Sequence, residues 1–204
     1  MTDHEKYFSK RDPIAFPIWQ KACVGIAGAG GLGSNIAIAL ARAGIGTLVI
    51  ADFDTVSLEN LNRQQFSLAQ VGQPKVQAIA ENIRAFNPFI ELITYYDKVT
   101  PTNLPKLFGS CDLLLEAFDS ADQKAMLIEA WTAEYPLKHL IAGSGLSGYG
   151  RGEHIKIEHF GYLHVVGDGI SELQPEISPI APRVAAVANL QANLALELLV
   201  KNHE

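Results

Sequence analysis

The chain has 204 residues, 48% of them hydrophobic, enough for one sizeable core in one domain, and 16 basic against 22 acidic residues give it a net charge of −6. That balance excludes general binding to nucleic acid or an anionic membrane surface. No apolar run is read as reaching the roughly 18 residues of a membrane span, and the opening Met1 to Lys6 forms no secretory signal, so a cytoplasmic location is expected. Only Cys23 and Cys111 are present, which leaves no disulfide framework and no C-x-x-C zinc pair.

Residues 1–21 are polar and then carry Pro13 and Pro17, which predicts an N-terminal arm or short helix outside any sheet. Arg11 within it is either a solvated surface charge or a phosphate ligand. Residues 22–204 read as a single domain. Residues 23–28 form an apolar strand that runs into Gly28-Ala29-Gly30-Gly31-Leu32-Gly33. Gly28, Gly30 and Gly33 fit G-x-G-x-x-G, with Gly31 among them, a turn that brings backbone close to a phosphate and aims the first free N–H groups of a helix at the anion. A helix over 31–43 follows, with Leu32, Ile36, Ala39, Leu40 and Ala43 on one face, and Gly44 and Gly46 end it. The apolar run 47–51 predicts a central parallel strand that delivers Asp52 to its carboxyl end, completing a βαβ unit. Asp52 lies about 20 residues past the last glycine, where an acid accepts ribose hydroxyls; the alternative is an aspartate that only caps the next turn.

The stretch 54–66 is too polar for a strand. Beyond it, Val76, Ile79, Ala80 and Ile83 predict a helix over 74–86, stopped by Asn87-Pro88, then a strand over 90–95 and a short helix over 101–108. Residues 111–119 read as a buried strand ending in Asp119, and 121–133 as a helix that Asp119 would otherwise merely cap. A strand over 139–142 leads to the glycine-rich residues 143–152, read as a mobile rim rather than a second phosphate loop. Two extended segments, 153–160 and 162–166, meet near Gly161. His154, His159 and His164 are spaced to fall on opposite strand faces, which predicts ordinary surface or core histidines rather than a zinc site. Residues 167–182 are loop-like with Pro175, Pro179 and Pro182. The last helix is apolar nearly all round, and so is expected to be covered by the domain or by a second subunit. The fold class is α/β, a Rossmann-like doubly wound and mainly parallel sheet with additional C-terminal strands and an apolar C-terminal helix.

At Gly28-Ala29-Gly30-Gly31-Leu32-Gly33, Asp52-Phe53-Asp54, Asn60-Leu61-Asn62-Arg63-Gln64 and Gly72-Gln73-Pro74-Lys75 the chain resembles the adenylating enzymes ThiF, MoeB and HesA, relatives of the ubiquitin-activating enzymes. The likeness is strong over 24–87 and looser beyond. It implies ATP and Mg2+ as cofactors, and adenylation of a carboxylate with release of pyrophosphate. Arg63 and Lys75 are then the cations that offset repulsion between the two anions, and Asn62 and Gln64 neutral donors or positioning groups. The resemblance also places Gly28, Gly30, Gly31, Gly33, Asp52, Phe53 and Asn60 at the nucleotide, with adenine near Phe53. Asp119 becomes the magnesium-associated acid, with Glu116 and Asp122 as secondary acids. Bland alternatives are a surface ion pair for Arg63 and an exposed first helical turn for Lys75.

Further implications are a homodimer, and an N-terminal arginine, here Arg11 with Lys10 as rival, reaching into the partner's site. The two C-x-x-C pairs of longer relatives are missing, so no zinc is expected, and Cys23 and Cys111 read as small hydrophobes rather than acyl acceptors. The best match is to short ThiF-like members that adenylate the C-terminal glycine of the sulfur carrier ThiS in thiamine thiazole synthesis. Alternatives are a MoaD-like carrier or a small carboxylate, as in tRNA-modifying relatives. An NAD-dependent oxidoreductase would share the glycine loop and Asp52 but gives no reason for residues 60–64 or Lys75. A non-catalytic adaptor would be expected to lack Arg63, Lys75 or Asp119.

Overall fold

A computed structural model describes residues 2–171 and 178–201; Pro175 of the expected loop and residues 202–204 lie outside that range. Seven strands form one sheet: β1 (Cys23–Ala27), β2 (Thr47–Ala51), β3 (Glu91–Tyr95), β4 (Leu113–Glu116), β5 (His139–Gly143), β6 (Lys156–Phe160) and β7 (Leu163–Gly167). Their order is β3-β2-β1-β4-β5-β7-β6, and every pair is parallel except β6 with β7. The chain runs outward from β1 to β3 and resumes on the other side at β4. The crevice between the carboxyl ends of β1 and β4 is therefore the topological switch point, where ligands of open α/β sheets bind.

The central strands are apolar throughout because both faces are covered. Val24 and Ile26 of β1 pack with α3 (Gly31–Ala43), α4 (Lys75–Arg84) and α7 (Ala181–Lys201). Ala27 and Leu114 face α5 (Leu104–Phe108) and α6 (Ala121–Glu134), where Phe108 and Trp131 are fully buried. As predicted, the N-terminal residues stay outside the sheet, as α1 (Asp3–Phe8) and α2 (Phe16–Trp19). Phe8 stacks on Phe16 with centroids 4.8 Å apart, and Trp19 Nε1 donates to the Leu196 carbonyl at 3.0 Å.

Four expectations change. α7 is not apolar all round. It buries Val184, Val187, Ala188, Gln191, Ala192, Leu194, Ala195, Leu198 and Leu199 while Ala186, Asn189, Asn193 and Glu197 face outward, so the domain itself covers its apolar side and the helix needs no second subunit. Among the described residues it is also the one helix long and apolar enough to cross a membrane, although half of that stretch is packed inside the chain. The strand expected over 111–119 ends at Glu116, which frees residues 117–119 for the crevice. The histidine spacing misled because the chain reverses at Gly161. His159 and His164 pair across the β6–β7 hairpin, His139 joins them, and His154 sits in a separate 3-10 turn (Gly152–His154). The described residues include no group of three His, Cys, Asp or Glu side chains arranged to hold a metal ion.

Candidate active site

The crevice opens as a cavity of about 960 Å³ lined by the glycine loop, by Asp52 to Thr55, by Asn60, Arg63 and Gln64, by Lys75, by residues 117–119, by the first turn of α6 and by residues 143–147. Its base is set by two glycines. Gly28 has φ +101°, a region that L side chains rarely adopt, and a Cβ on Gly33 would lie 1.9 Å from the Gly28 carbonyl oxygen. The start of α3 can therefore seat against the turn only with these residues. Ser34 and Asn35 lace α3 to the polar stretch that follows β2: Ser34 Oγ accepts from Gln65 N at 3.1 Å, and Asn35 Nδ2 donates to the carbonyls of Gly31 at 2.7 Å and Arg63 at 3.1 Å.

Asp52 caps its turn, as one reading of it asked, and also ties the glycine loop to the sheet. One carboxylate oxygen accepts from Asp54 N at 2.7 Å, capping its turn, and the other accepts from Ala29 N at 2.6 Å, holding the glycine loop against the sheet. Burial pushes its pKa up, and the bonds from Ala29 and Asp54, together with Lys75, oppose that. Lone pairs remain for a ligand hydroxyl, because a carboxylate offers about four acceptor sites.

Lys75 is not in an exposed turn: it is 6% accessible and its Nζ lies 2.8 Å from Asp54. Asp54, quoted in the sequence motif without a role of its own, is thus what holds the lysine over the cavity. Arg63 pairs with no carboxylate among those described. Its Nη1 donates to Asn62 Oδ1 at 2.9 Å, leaving the rest of the guanidinium facing the cavity. Asn62 itself is exposed and does not line the cavity, so it orients Arg63 rather than meeting a phosphate. Asn60 is buried with its Oδ1 accepting from Ser57 N at 3.1 Å, which closes the 3-10 turn (Leu58–Asn62) that presents Arg63. Gln64 is 8% accessible and lines the cavity with a buried, unpartnered Oε1. An orphaned acceptor of this kind costs about 1–3 kcal/mol and is relieved by a ligand donor. Phe53 is 44% exposed at the cavity edge with Lys98 Nζ 5.7 Å above its ring.

Asp119 does not cap α6. Ser120 is the N-cap, its Oγ accepting from Gln123 N, and the exposed Asp119 carboxylate has no partner among the described residues. The secondary acids do not join it. Asp122 faces away from the cavity lining, and Glu116 is fully buried, bound by Phe118 N at 2.7 Å and by Lys124 Nζ. Arg11 lies far from this rim, its guanidinium over Tyr7 at 5.5 Å and over Phe8 at 5.7 Å.

Residues 18–204 match the ThiF family. The chain belongs to the ThiF family. Over 112 residues it is 38% identical to the probable adenylyltransferase/sulfurtransferase MoeZ of Mycobacterium tuberculosis, covering 54% of this chain and 29% of that one. Over 138 residues it is 32% identical to the adenylyltransferase and sulfurtransferase MOCS3 of Caenorhabditis briggsae, covering 67% and 33%. It thus spans a third or less of the length of these curated relatives. The crystal structure of the E. coli tRNA N6-threonylcarbamoyladenosine dehydratase TcdA in complex with ATP superposes with a TM-score of 0.85 at 25% identity, covering 99% of this chain and 97% of that one. The E. coli protein MccB with ATP shares the fold with a TM-score of 0.71, covering 92% and 58%.

On this ThiF-family frame the glycine-rich residues 143–152 are tied rather than loose. Gly145, Gly148 and Gly150 take positive φ, Asp168 N donates to the Gly145 carbonyl, and Arg183 of α7 donates to the Gly150 carbonyl and to Asp168. Burial works against the charge of Asp168, but bonds from Ser171 and Ile170 together with Arg183 outweigh it and hold its pKa down to about 2. Sequence reading missed this clamp, because its members lie 15 residues apart with no motif between them. It also missed Lys124, whose only signal was its place in the first turn after Asp119.

Proposed function

We propose that the domain is an adenylyltransferase that uses ATP with Mg2+ to activate a carboxylate. The observation that carries this is the convergence, on one rim, of the glycine loop, two oriented cations and an unpartnered aspartate. The residues present suit the nucleotide: the α3 N-terminus and glycine loop face a phosphate, Asp52 has acceptor sites for ribose, Gln64 needs a donor, and the cavity is of nucleotide size. The unpartnered carboxylate of Asp119, just beyond β4 on the cavity wall, suits Mg2+, which takes one or two carboxylates and completes its shell with phosphates and water. Bound there, the ion would neutralise charge on the departing pyrophosphate.

In the step itself a carboxylate oxygen forms a bond to the α-phosphorus as the bond to the bridging oxygen breaks and pyrophosphate leaves; no proton moves. Arg63, held by Asn62, and Lys75, held by Asp54, are pre-oriented toward the charge that develops, so little reorganisation is needed at the moment of reaction. The acyl substrate we favour is the C-terminal glycine of a ubiquitin-like sulfur carrier of the ThiS kind, in a cytoplasmic homodimer. A MoaD-like carrier is served by the same chemistry. A second reading, a small carboxylate on a modified tRNA nucleoside, is favoured by the near full-length superposition on E. coli TcdA. ATP–pyrophosphate exchange with a panel of Gly-Gly-ending carriers and with threonylcarbamoyladenosine separates them. Exchange stimulated by a carrier supports the first reading, stimulation by the nucleoside alone supports the second, and no exchange with either while ATP binds overturns adenylation.

A further inference from the structure

Three cations line the cavity among the described residues: Arg63, Lys75 and Lys124. The reaction brings two anions together, and the first two cations stand on the side of Asp54 and the 3-10 turn (Leu58–Asn62). Lys124 stands apart from them. It belongs to the first turn of α6, beside Asp119, on the flank shared with residues 143–147. No other cation among the described residues lines that flank.

Lys124 is held there by Glu116. The glutamate side chain is completely inaccessible, so it touches no ligand, and one of its oxygens is fixed by Phe118 N at 2.7 Å at the carboxyl end of β4. Burial pushes the Glu116 pKa up, and the charge and hydrogen bond of Lys124 oppose it. An ammonium has three donors. One is directed at Glu116, and a side chain that is 24% exposed on the cavity wall keeps the others available.

We infer that Lys124 is the residue that receives the acyl substrate: it pairs with the incoming carboxylate and remains on its carbonyl oxygen as the other oxygen bonds to the α-phosphorus. Glu116 is its positioning residue. The inference rests on the adenylation reading and assigns the third cation to the second anion. Because Lys124 is fixed from behind by a carboxylate that cannot reach the cavity, it meets the substrate without having to be ordered at that moment.

The test compares three probes by calorimetry: Mg-ATP, AMP, and 5′-O-(glycylsulfamoyl)adenosine, whose glycyl carbonyl stands at the acyl position. Wild-type protein is expected to bind the glycyl compound at least about tenfold tighter than AMP. Lys124→Ala should lose most of that preference, a drop of about tenfold, the size of one charge-assisted hydrogen bond, with Mg-ATP and AMP affinities unchanged within about twofold. Lys124→Arg should keep part of it. Because Lys124→Ala leaves a buried carboxylate unpaired, the double variant Glu116→Gln with Lys124→Met is the parallel protein. It retains an acceptor for Phe118 N, buries no lone charge, and should show the same loss. An unaltered preference in the folded double variant, a wild type that does not distinguish the glycyl compound from AMP, or an equal loss of Mg-ATP in the variants overturns the inference. Failure of wild-type protein to bind Mg-ATP overturns the adenylation reading beneath it, which is a separate outcome.

Discussion

At the amino ends of the strands, polar side chains are satisfied by one another. His164 meets His139 at 2.9 Å and His159 at 2.7 Å, and Cys23 and Cys111 touch at 3.6 Å. At the carboxyl ends, Asp119 has no partner among the described residues, Gln64 keeps an orphaned acceptor, and Arg63 and Lys124 are held from behind with donors to spare. The same sheet supports both rims, so the difference is one of purpose. A group whose partners lie within the chain contributes to stability, whereas an open one awaits a ligand and contributes to chemistry. Substitutions at the two rims should therefore separate into those that change melting and those that change turnover.

The largest effect is expected where the rims cannot be separated. In Gly33→Ala the new methyl group meets the Gly28 carbonyl at 1.9 Å, backbone against backbone, so α3 and the glycine loop must part. A loss of about 3 kcal/mol in denaturant unfolding and no measurable ATP binding are expected. A variant that melts like wild type and still binds ATP would show that the loop geometry is not what seats the nucleotide.

Next come the open residues of the carboxyl rim. Arg63→Ala and Asp119→Ala should each lower substrate-dependent ATP–pyrophosphate exchange by about a hundredfold with melting unchanged, since neither is buried or paired with a charge. Lys75→Ala should lower exchange similarly and also cost about 1 kcal/mol, because this lysine is buried against Asp54. If all three keep near-normal exchange at saturating ATP and Mg2+, the openness of this rim has another cause.

The amino rim should respond to pH. His164, 4% accessible, has its pKa lowered to about 4 by burial and by its two histidine neighbours. A neutral imidazole has one donor and one acceptor, so neutral His164 can meet a neighbour at each ring nitrogen without carrying a buried charge. The folded value lies below the unfolded 6.5, so the stabilisation is fully present above pH 6.5 and is lost as pH falls toward about 4. The loss is about 2 kcal/mol, kept below the full shift because charging the ring on lowering the pH also lets water reach it. Melting followed from pH 7 to 4 should fall less steeply in His164→Asn, while exchange at pH 7 is unaltered. An identical slope in both proteins removes the three rings as the acid-sensitive element.

Legibility in the sequence followed the range of the interactions. α3 and β2 were read to their last residue, because glycines punctuate α3 and an apolar run delimits β2. The glycine loop, Asp52, Arg63, Lys75 and Asp119, singled out because each lies at an element end or in a motif of the family resemblance, all line the cavity. What escaped depends on partners distant in the chain. The Asp168–Arg183 clamp joins a strand end to a helix start, and the histidine triplet exists only because β5, β7 and β6 are neighbours. Lys124 escaped because an ordinary lysine in a helix becomes notable only when Glu116 is seen buried behind it. α7 was misjudged because the outward stripe of Ala186, Asn189, Asn193 and Glu197 is narrow enough to be lost among its apolar residues.

Arg11 is the residue of the amino rim that does not fit the comparison. Its guanidinium lies over Tyr7 and Phe8, yet its Nε is buried without a partner, a condition it shares with Gln64 on the open rim and with Gln73, Arg183 and Gln191. Stacking on two aromatic rings contributes about 1 kcal/mol, so Arg11→Ala should shift melting only slightly. If the proposed homodimer forms and this arginine reaches the partner's site, the same substitution should lower exchange about tenfold. Mixing Arg11→Ala with Lys75→Ala protein is the sharper form of the test. A mixed dimer contains one site with both cations intact, so exchange should rise above the mean of the two impaired parents. No recovery despite demonstrated subunit exchange would return Arg11 to its own chain, as the cation that ties the N-terminal arm to the aromatic cluster beneath the sheet.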